Sequence, residues 1–298
     1  MGSLDGKACI VTGAGGLMGR AYAKALAQAG AHVVVNDVDG ASAERVAAEI
    51  SAALGRKAAV ANDGNIASWE DCERLVRDCV ETFGSIDVLV NNAGVFKPAP
   101  IWELSPENFQ RHVGAHLTGS FACARFASGA MMKQGGGSII NVTSRAAEGQ
   151  AGNSIYAALK AGVAGATASW ALELAKHKVR VNAVSPAGGG RSAGFKPSKH
   201  FIWAMPNEPV NELPTPESVA PLVVYLASDA SSWVTGQVIF LSGDTLALIS
   251  HARARRFAFR PEGWTAEEIA RHFKETIGAS LEPLGMSAAP YPWYDGVR

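Results

Sequence analysis

Short β-branched runs alternate with longer amphipathic or alanine-rich segments along most of the chain. The runs are ACIVT (8–12), HVVVND (32–37), AAVA (58–61), IDVLVNN (86–92), GSIINVTS (137–144), VRVNAVS (179–185) and QVIFLSG (237–243). Each is nearly continuously apolar, the pattern of a strand covered by other elements on both faces. Helical spacing falls at 17–29, 40–54, 67–83, 106–134, 153–177 and 216–228. Seven strands separated by helix-length segments predict an α/β fold: a single parallel, doubly wound sheet flanked by helices.

Two segments depart from the alternation. Residues 186–215 are too long and too rich in Gly and Pro for an ordinary connection, and predict a ligand-contacting loop within a domain spanning 1–244. Residues 245–298 run past the last predicted strand and form an added C-terminal extension, packed on the same domain or on a neighbouring subunit. Within it Thr265 to Glu268 reads as a capping box opening a helix that stops near Gly278.

Composition narrows the partners. The formal net charge of zero gives no electrostatic footprint for nucleic acid or an anionic membrane, so a small molecule is the expected partner. No CxxC pair occurs among Cys9, Cys72, Cys79 and Cys123, which read as reduced, mostly buried thiols of a cytoplasmic protein. The start of the chain lacks the pattern of a signal peptide, and no apolar run reaches the ~18 residues of a membrane span. The histidines show no ligand spacing such as HExxH, and no catalytic metal is expected.

The candidate chemistry begins with TGAGGLMG (12–19), set between a strand and a helix. That arrangement aims backbone N–H groups and a helix N-terminus at a pyrophosphate, and makes Gly13, Gly16, Leu17, Met18 and Gly19 cofactor-binding candidates of a Rossmann-type site. Asp37, ending the second strand, is placed to accept the adenosine ribose hydroxyls and repel a 2′-phosphate, which favours NAD over NADP. Asp63, after the third strand, is a candidate for the adenine amino group; neighbouring Asn62 is an alternative, and a solvated helix-start role is another. Further along, Tyr156 and Lys160 stand four apart, on one helical face, where an ammonium can favour the phenolate.

TGAGGLMG, Asp37, NNAG (Asn91 to Gly94), Ser144 and YAALK together resemble the short-chain dehydrogenase/reductase family over about residues 5–245. The resemblance implies that Tyr156 exchanges a proton with the substrate oxygen, that Ser144 hydrogen-bonds the same oxygen, and that Lys160 also grips the nicotinamide ribose. It implies that Asn91, Ala93 and Gly94 line the cofactor floor and that the Pro186 loop approaches the nicotinamide. Read strictly, the glycines Gly13, Gly16 and Gly19 match the family's extended branch, which includes epimerases; the classical branch would have glycine at Leu17. NNAG and the missing large substrate domain point to a classical member. Ser144 precedes Tyr156 by one position fewer than the family spacing, and Thr143 stands at the usual distance. His116 occupies the place of the family's fourth catalytic residue, usually Asn, where a structural histidine is the other reading.

GRAYAKALA, HLTGSF, PESVAPLVVYLAS and GWTAEEI further resemble the branch containing (3R)-hydroxyacyl-CoA and steroid dehydrogenases. This implies an NAD-dependent oxidoreductase acting on a secondary alcohol or ketone of a bulky apolar substrate, as a homodimer or homotetramer. Phe195, Phe201, Ile202, Trp203 and Met205, among Lys196, Lys199 and His200, are candidates to cover such a ligand; ordinary loop packing is the alternative. Arg253, Arg255, Arg256 and Arg260 suit either CoA phosphates or salt bridges to a neighbouring subunit. A non-catalytic NAD-binding scaffold or redox sensor, and an epimerase, are the competing functions.

Overall fold

Eight strands form one sheet, in the order β3-β2-β1-β4-β5-β6-β7-β8, in the computed structural model, which describes residues 2–187, 214–282 and 285. The strands are β1 (Ala8–Thr12), β2 (His32–Asn36), β3 (Ala59–Asn62), β4 (Val88–Asn91), β5 (Gly137–Val142), β6 (Val179–Pro186), β7 (Val238–Ser242) and β8 (Thr245–Ile249). The first seven are parallel, as their apolar runs predict, and β1, β4 and β5 are buried almost throughout. Strand order reverses between β1 and β4, and that switch point opens a crevice at the carboxyl ends of the strands.

The eighth strand corrects the predicted count of seven. Residues 245–249, which the sequence pattern places in the extension, turn back from β7 and pair with it antiparallel, Ser242 against Thr245. Gly243, at φ +55°, opens the two-residue loop of that hairpin. β8 lies at the sheet's rim with Leu246 and Leu248 two-thirds exposed, so its apolar run LALI does not mark burial.

Helices α1 (Leu17–Gln28), α2 (Gly40–Leu54) and α7 (Pro216–Ala227) cover one face, where Tyr22, Leu26, Val46 and Leu226 pack on Val11, Val35 and Ile140. Helices α3 (Trp69–Phe83), α5 (Gly119–Gln134) and α6 (Ser154–Leu174) cover the other, where Leu75, Cys79 and Met131 meet Ile10, Leu89 and Ile139. Asp39 caps α2 and Ser68 caps α3, each through a first-turn N–H, and left-handed Gly55 and Gly84 end them. The predicted 106–134 helix is interrupted: α4 (Pro106–His112) passes through a π-helical turn, Val113–Thr118, before α5. In the extension, Thr265 and Glu268 form the capping box at the start of α8 (Ala266–His272).

All four cysteines are free and buried, with Cys72 and Cys123 sulfurs 3.4 Å apart. No helix among the described residues is long and apolar enough to cross a membrane. Between the sheet and its helices runs a buried polar chain: Asn91 Nδ2 donates to Asn141 Oδ1 (3.0 Å), and Asn141 Nδ2 donates to Thr167 Oγ1 (2.9 Å). Removing the middle member strands a donor and an acceptor where water does not reach. Asn141→Ala is expected to lower stability by about 2 kcal/mol, read as a lower urea midpoint at unchanged slope.

Candidate active site

At the head of the crevice, Thr12 ends β1 and ties the glycine loop to the NNAG segment. Its hydroxyl accepts from the N–H groups of Asn92 (3.1 Å) and Ala93 (3.0 Å), while Asn92 Nδ2 donates to the carbonyls of Thr12 (2.8 Å) and Gly13 (3.2 Å). Gly13 has φ +63°, and a Cβ there would strike the Ala93 backbone, so only glycine fits. A Cβ on Gly19 would overlap the Gly13 carbonyl, and one on Gly15 would run into Asp37 and Ser42. Gly16 faces nothing closer than ordinary contact at 3.5 Å. Contacts within the protein thus demand glycine at 13 and 19 and crowd 15, whereas no protein atom presses on Gly16. Leu17, the first residue of α1, is half-exposed, and Met18 packs against the core.

Helix α1 starts without a side-chain cap and without an acidic residue in its first turn, which leaves its N–H groups and positive pole open to an anion. Asp37 stands beside this loop: one carboxylate oxygen accepts from the Gly15 N–H (3.0 Å), the other from the Asp39 N–H (3.0 Å). The residues present thus fit a dinucleotide, with the loop at its pyrophosphate and a carboxylate at its ribose. Asn62 is bonded to Asn36, Gly64 and Asp78, whereas the largely exposed Asp63 makes only a loose ion pair with Arg74 at 3.6 Å. Of the two asparagines in NNAG, Asn91 turns inward to Asn141 and the Ser120 carbonyl, and Asn92, absent from the sequence-derived candidates, braces the loop. The NNAG motif marks both, without showing which faces which way.

Beyond the end of β5 the two candidate hydroxyls separate. Thr143 Oγ1 is buried and donates to the Lys160 carbonyl at 2.7 Å. Ser144 starts the 3-10 turn Arg145–Glu148, and its hydroxyl accepts from the Ala146 N–H at 3.1 Å. Thr143 is thus committed to the Lys160 carbonyl, which leaves Ser144 as the candidate hydroxyl. Burial pushes the Tyr156 phenol up from its usual pKa, and the neighbouring Ser144 hydroxyl draws it back. Lys160 Nζ lies 5.5 Å from the centre of the Tyr156 ring and donates to the Val142 carbonyl at 2.6 Å. Its burial lowers the ammonium pKa to about 8.

His116, in the π turn, is buried edge-on against the Tyr156 ring, 5.3 Å between centroids. Its Nε2 lies 2.8 Å from the Val95 carbonyl, and a Cβ on Gly94 would overlap its ring. Burial, reinforced by the Lys160 charge, lowers its pKa to about 3, so the ring is neutral. Its Nδ1 is buried and has no hydrogen-bond partner among the described residues. Pro186, the last residue of β6, pairs with Leu241 at the same end of the sheet.

The proposed ligand-covering residues Phe195, Lys196, Lys199, His200, Phe201, Ile202, Trp203 and Met205 lie outside the described residues. In the extension, Arg255 pairs with Glu282 at 2.6 Å and Arg260 with Glu268, ion pairs made within the tail itself.

The model of the family described as enoyl-(acyl carrier protein) reductase matches residues 13–243. The chain belongs to the classical short-chain dehydrogenase/reductase family. It is 36% identical over 242 residues to a 3-oxoacyl-(acyl-carrier-protein) reductase of Thermotoga maritima, covering 80% of this chain and 98% of that one. A short chain dehydrogenase from Mycobacterium avium superposes with a TM-score of 0.82 at 35% identity, over 98% of this chain and all of its own. A 7α-hydroxysteroid dehydrogenase solved with NADH and 7-oxoglycochenodeoxycholic acid gives a TM-score of 0.72 at 33% identity, covering 81% of this chain and 94% of that one. This short-chain dehydrogenase/reductase is thus an oxidoreductase of a family that uses a nicotinamide cofactor.

A histidine held neutral when folded but protonated when unfolded makes stability fall as pH drops below the unfolded pKa. With a folded pKa near 3 against 6.5 unfolded, His116 is expected to remove about 2 kcal/mol between pH 6.5 and pH 5. Urea midpoints of wild type and His116→Asn across that range check it: the variant loses this component of the slope.

Proposed function

We propose that the protein is an NAD-dependent dehydrogenase or ketoreductase that interconverts a secondary alcohol and a ketone on a bulky apolar substrate, such as a hydroxyacyl thioester, a steroid or a cyclic alcohol. The observation that carries this reading is the buried Lys160 ammonium 5.5 Å from the centre of the Tyr156 ring, with Thr143 diverted to the Lys160 carbonyl and Ser144 left as the available hydroxyl. When bound, the nicotinamide supplies the hydride acceptor or donor. Tyr156 takes the hydroxyl proton in oxidation and returns it in reduction. Ser144 hydrogen-bonds the same oxygen and fixes its position. Lys160 holds a positive charge beside the Tyr156 ring and reaches for the cofactor ribose, and neutral His116 completes the catalytic group.

Gly13, Gly16, Leu17, Met18 and Gly19 hold the pyrophosphate end of the cofactor. Asp37 holds the adenosine ribose and Asp63 the adenine, while Asn91, Ala93, Gly94 and Pro186 line the nicotinamide end. NAD is preferred because the Asp37 carboxylate, fixed by two backbone N–H groups, repels a 2′-phosphate. Relatives acting on a 3-oxoacyl carrier and on a steroid support the substrate class, since both names describe an oxygen function on a bulky apolar body. Residues 1–244 form the cofactor and catalytic domain, with loop 186–215 at the substrate and 245–298 added to it.

The outer face of α5 and α6 exposes Phe121 and Leu172, and an edge-on Phe121–Trp170 pair lies there at 4.8 Å, consistent with a homodimer or homotetramer. A cytoplasmic location agrees with four free, buried thiols.

A screen of hydroxyacyl-CoAs, hydroxysteroids and cyclic alcohols by nicotinamide absorbance tests the reading. Tyr156→Phe should lower kcat at least ~100-fold while NADH still binds, as loss of a general acid–base group requires. An NAD sensor would show no turnover in the wild type, and an epimerase would return its NAD unchanged.

A further inference from the structure

Three polar side chains on one side of the α4–π segment are buried: Asn108, His112 and His116. Burying polar groups is unfavourable unless each is bonded, and these converge on the short segment that follows NNAG. Asn108 Nδ2 donates to the Lys97 carbonyl at 3.1 Å. His112 Nδ1 donates to the backbone carbonyl of Asn108 at 2.8 Å, which leaves Nε2 to accept the Lys97 N–H at 3.5 Å. One turn on, His116 Nε2 meets the Val95 carbonyl at 2.8 Å. The two imidazoles stack, 5.9 Å between centroids and 20° from parallel. An α-helix would rotate successive members of an i, i+4, i+8 row by about 40° each, and the wider π turn offsets that drift.

The helix therefore grips alternate residues of the segment, Val95 and Lys97, much as a strand is gripped along one edge. The residue between them projects away from the helix. It is Phe96, whose ring stands edge-on to Tyr156, 5.3 Å between centroids and 87° from parallel, and which remains 40% exposed. Phe96 and His116 thus flank the same phenol, both edge-on.

We propose that the Asn108–His112–His116 row fixes residues 95–97 so that Phe96 forms an aromatic wall beside the Tyr156 oxygen, making Phe96 a specificity-determining residue for the apolar part of the substrate and His112 a positioning residue that acts through it. The inference rests on the reading of Tyr156 as the proton-exchanging group. It selects substrates whose reacting carbon carries a flat ring or a long alkyl arm on the Phe96 side, because an exposed aromatic face gains from covering apolar surface.

The test is NADH-dependent reduction of a bulky and a small diketone, 9,10-phenanthrenequinone and 2,3-butanedione, by wild type, Phe96→Ala, His112→Leu, His112→Gln and the Phe96→Ala/His112→Leu double variant. Phe96→Ala should lower the ratio of kcat/KM for the quinone over the small diketone about tenfold. His112→Leu should lower that ratio about tenfold in the wild-type background and less than twofold when Phe96 is already alanine. His112→Gln keeps an acceptor for the Lys97 N–H and should restore the ratio to within about threefold of wild type. Hydrogen exchange at the Lys97 amide should quicken in His112→Leu and not in His112→Gln. Equal losses from His112→Leu in both backgrounds, or a ratio indifferent to Phe96→Ala, would overturn the proposal. Should the wild type reduce neither diketone, the catalytic reading takes the failure; Lys97 exchange then decides the gripping role, and an unchanged rate in His112→Leu overturns it.

Discussion

The site depends on a double tie between the end of β5 and helix α6. Lys160 is bonded at both its ends to the last residue of the strand and the one after it: its carbonyl accepts from Thr143 at 2.7 Å, and its ammonium donates to the Val142 carbonyl at 2.6 Å. Backbone and side chain are thereby locked to one strand end, and Tyr156 follows one helical turn earlier. With Thr143 turned inward, the next side chain along the chain is sent into the crevice. That side chain is Ser144. The same arrangement buries the ammonium, which lowers its pKa to about 8, so this charge is held by geometry rather than by water.

A second constraint operates on the cofactor side. Thr12 accepts from two consecutive N–H groups of the NNAG segment, and Asn92 answers with two bonds to the glycine loop. The loop is thus fastened across the switch point between β1 and β4, where the crevice opens. Gly13 and Gly19 let it pack that closely, and Asp37 holds its outer turn through Gly15. The uncapped start of α1 then faces the space where a pyrophosphate is to lie.

The central strands were legible because they are covered on both faces, and continuous burial writes a continuous apolar run; β3 and β7 are only partly buried and were legible from their place in the alternation. Residues 245–249 escaped although LALI (246–249) is itself an apolar run and the Gly243-Asp244 pair before it a hairpin signal, because the run follows the expected last strand too closely for a crossover helix and fits only an antiparallel return. Motif spacing located the loop, Asp37, Tyr156 and Lys160, since short helical and turn distances translate directly into space. It did not separate Asn91 from Asn92, because that distinction depends on contacts between segments remote in sequence. Counting along the chain left Ser144 and Thr143 competing; only the partner on α6 distinguishes them. The role of His112 was likewise hidden, as nothing local marks a histidine that binds a backbone fifteen residues away.

The central claim is that Thr143 braces and Ser144 reacts. Single-turnover hydride transfer, measured beside thermal midpoints for Ser144→Ala and Thr143→Val, tests it most directly. The account predicts that Ser144→Ala keeps its midpoint within about 2 °C and slows transfer at least ~100-fold, while Thr143→Val loses several degrees because a buried bond is gone. Transfer at the wild-type rate in Ser144→Ala would contradict it.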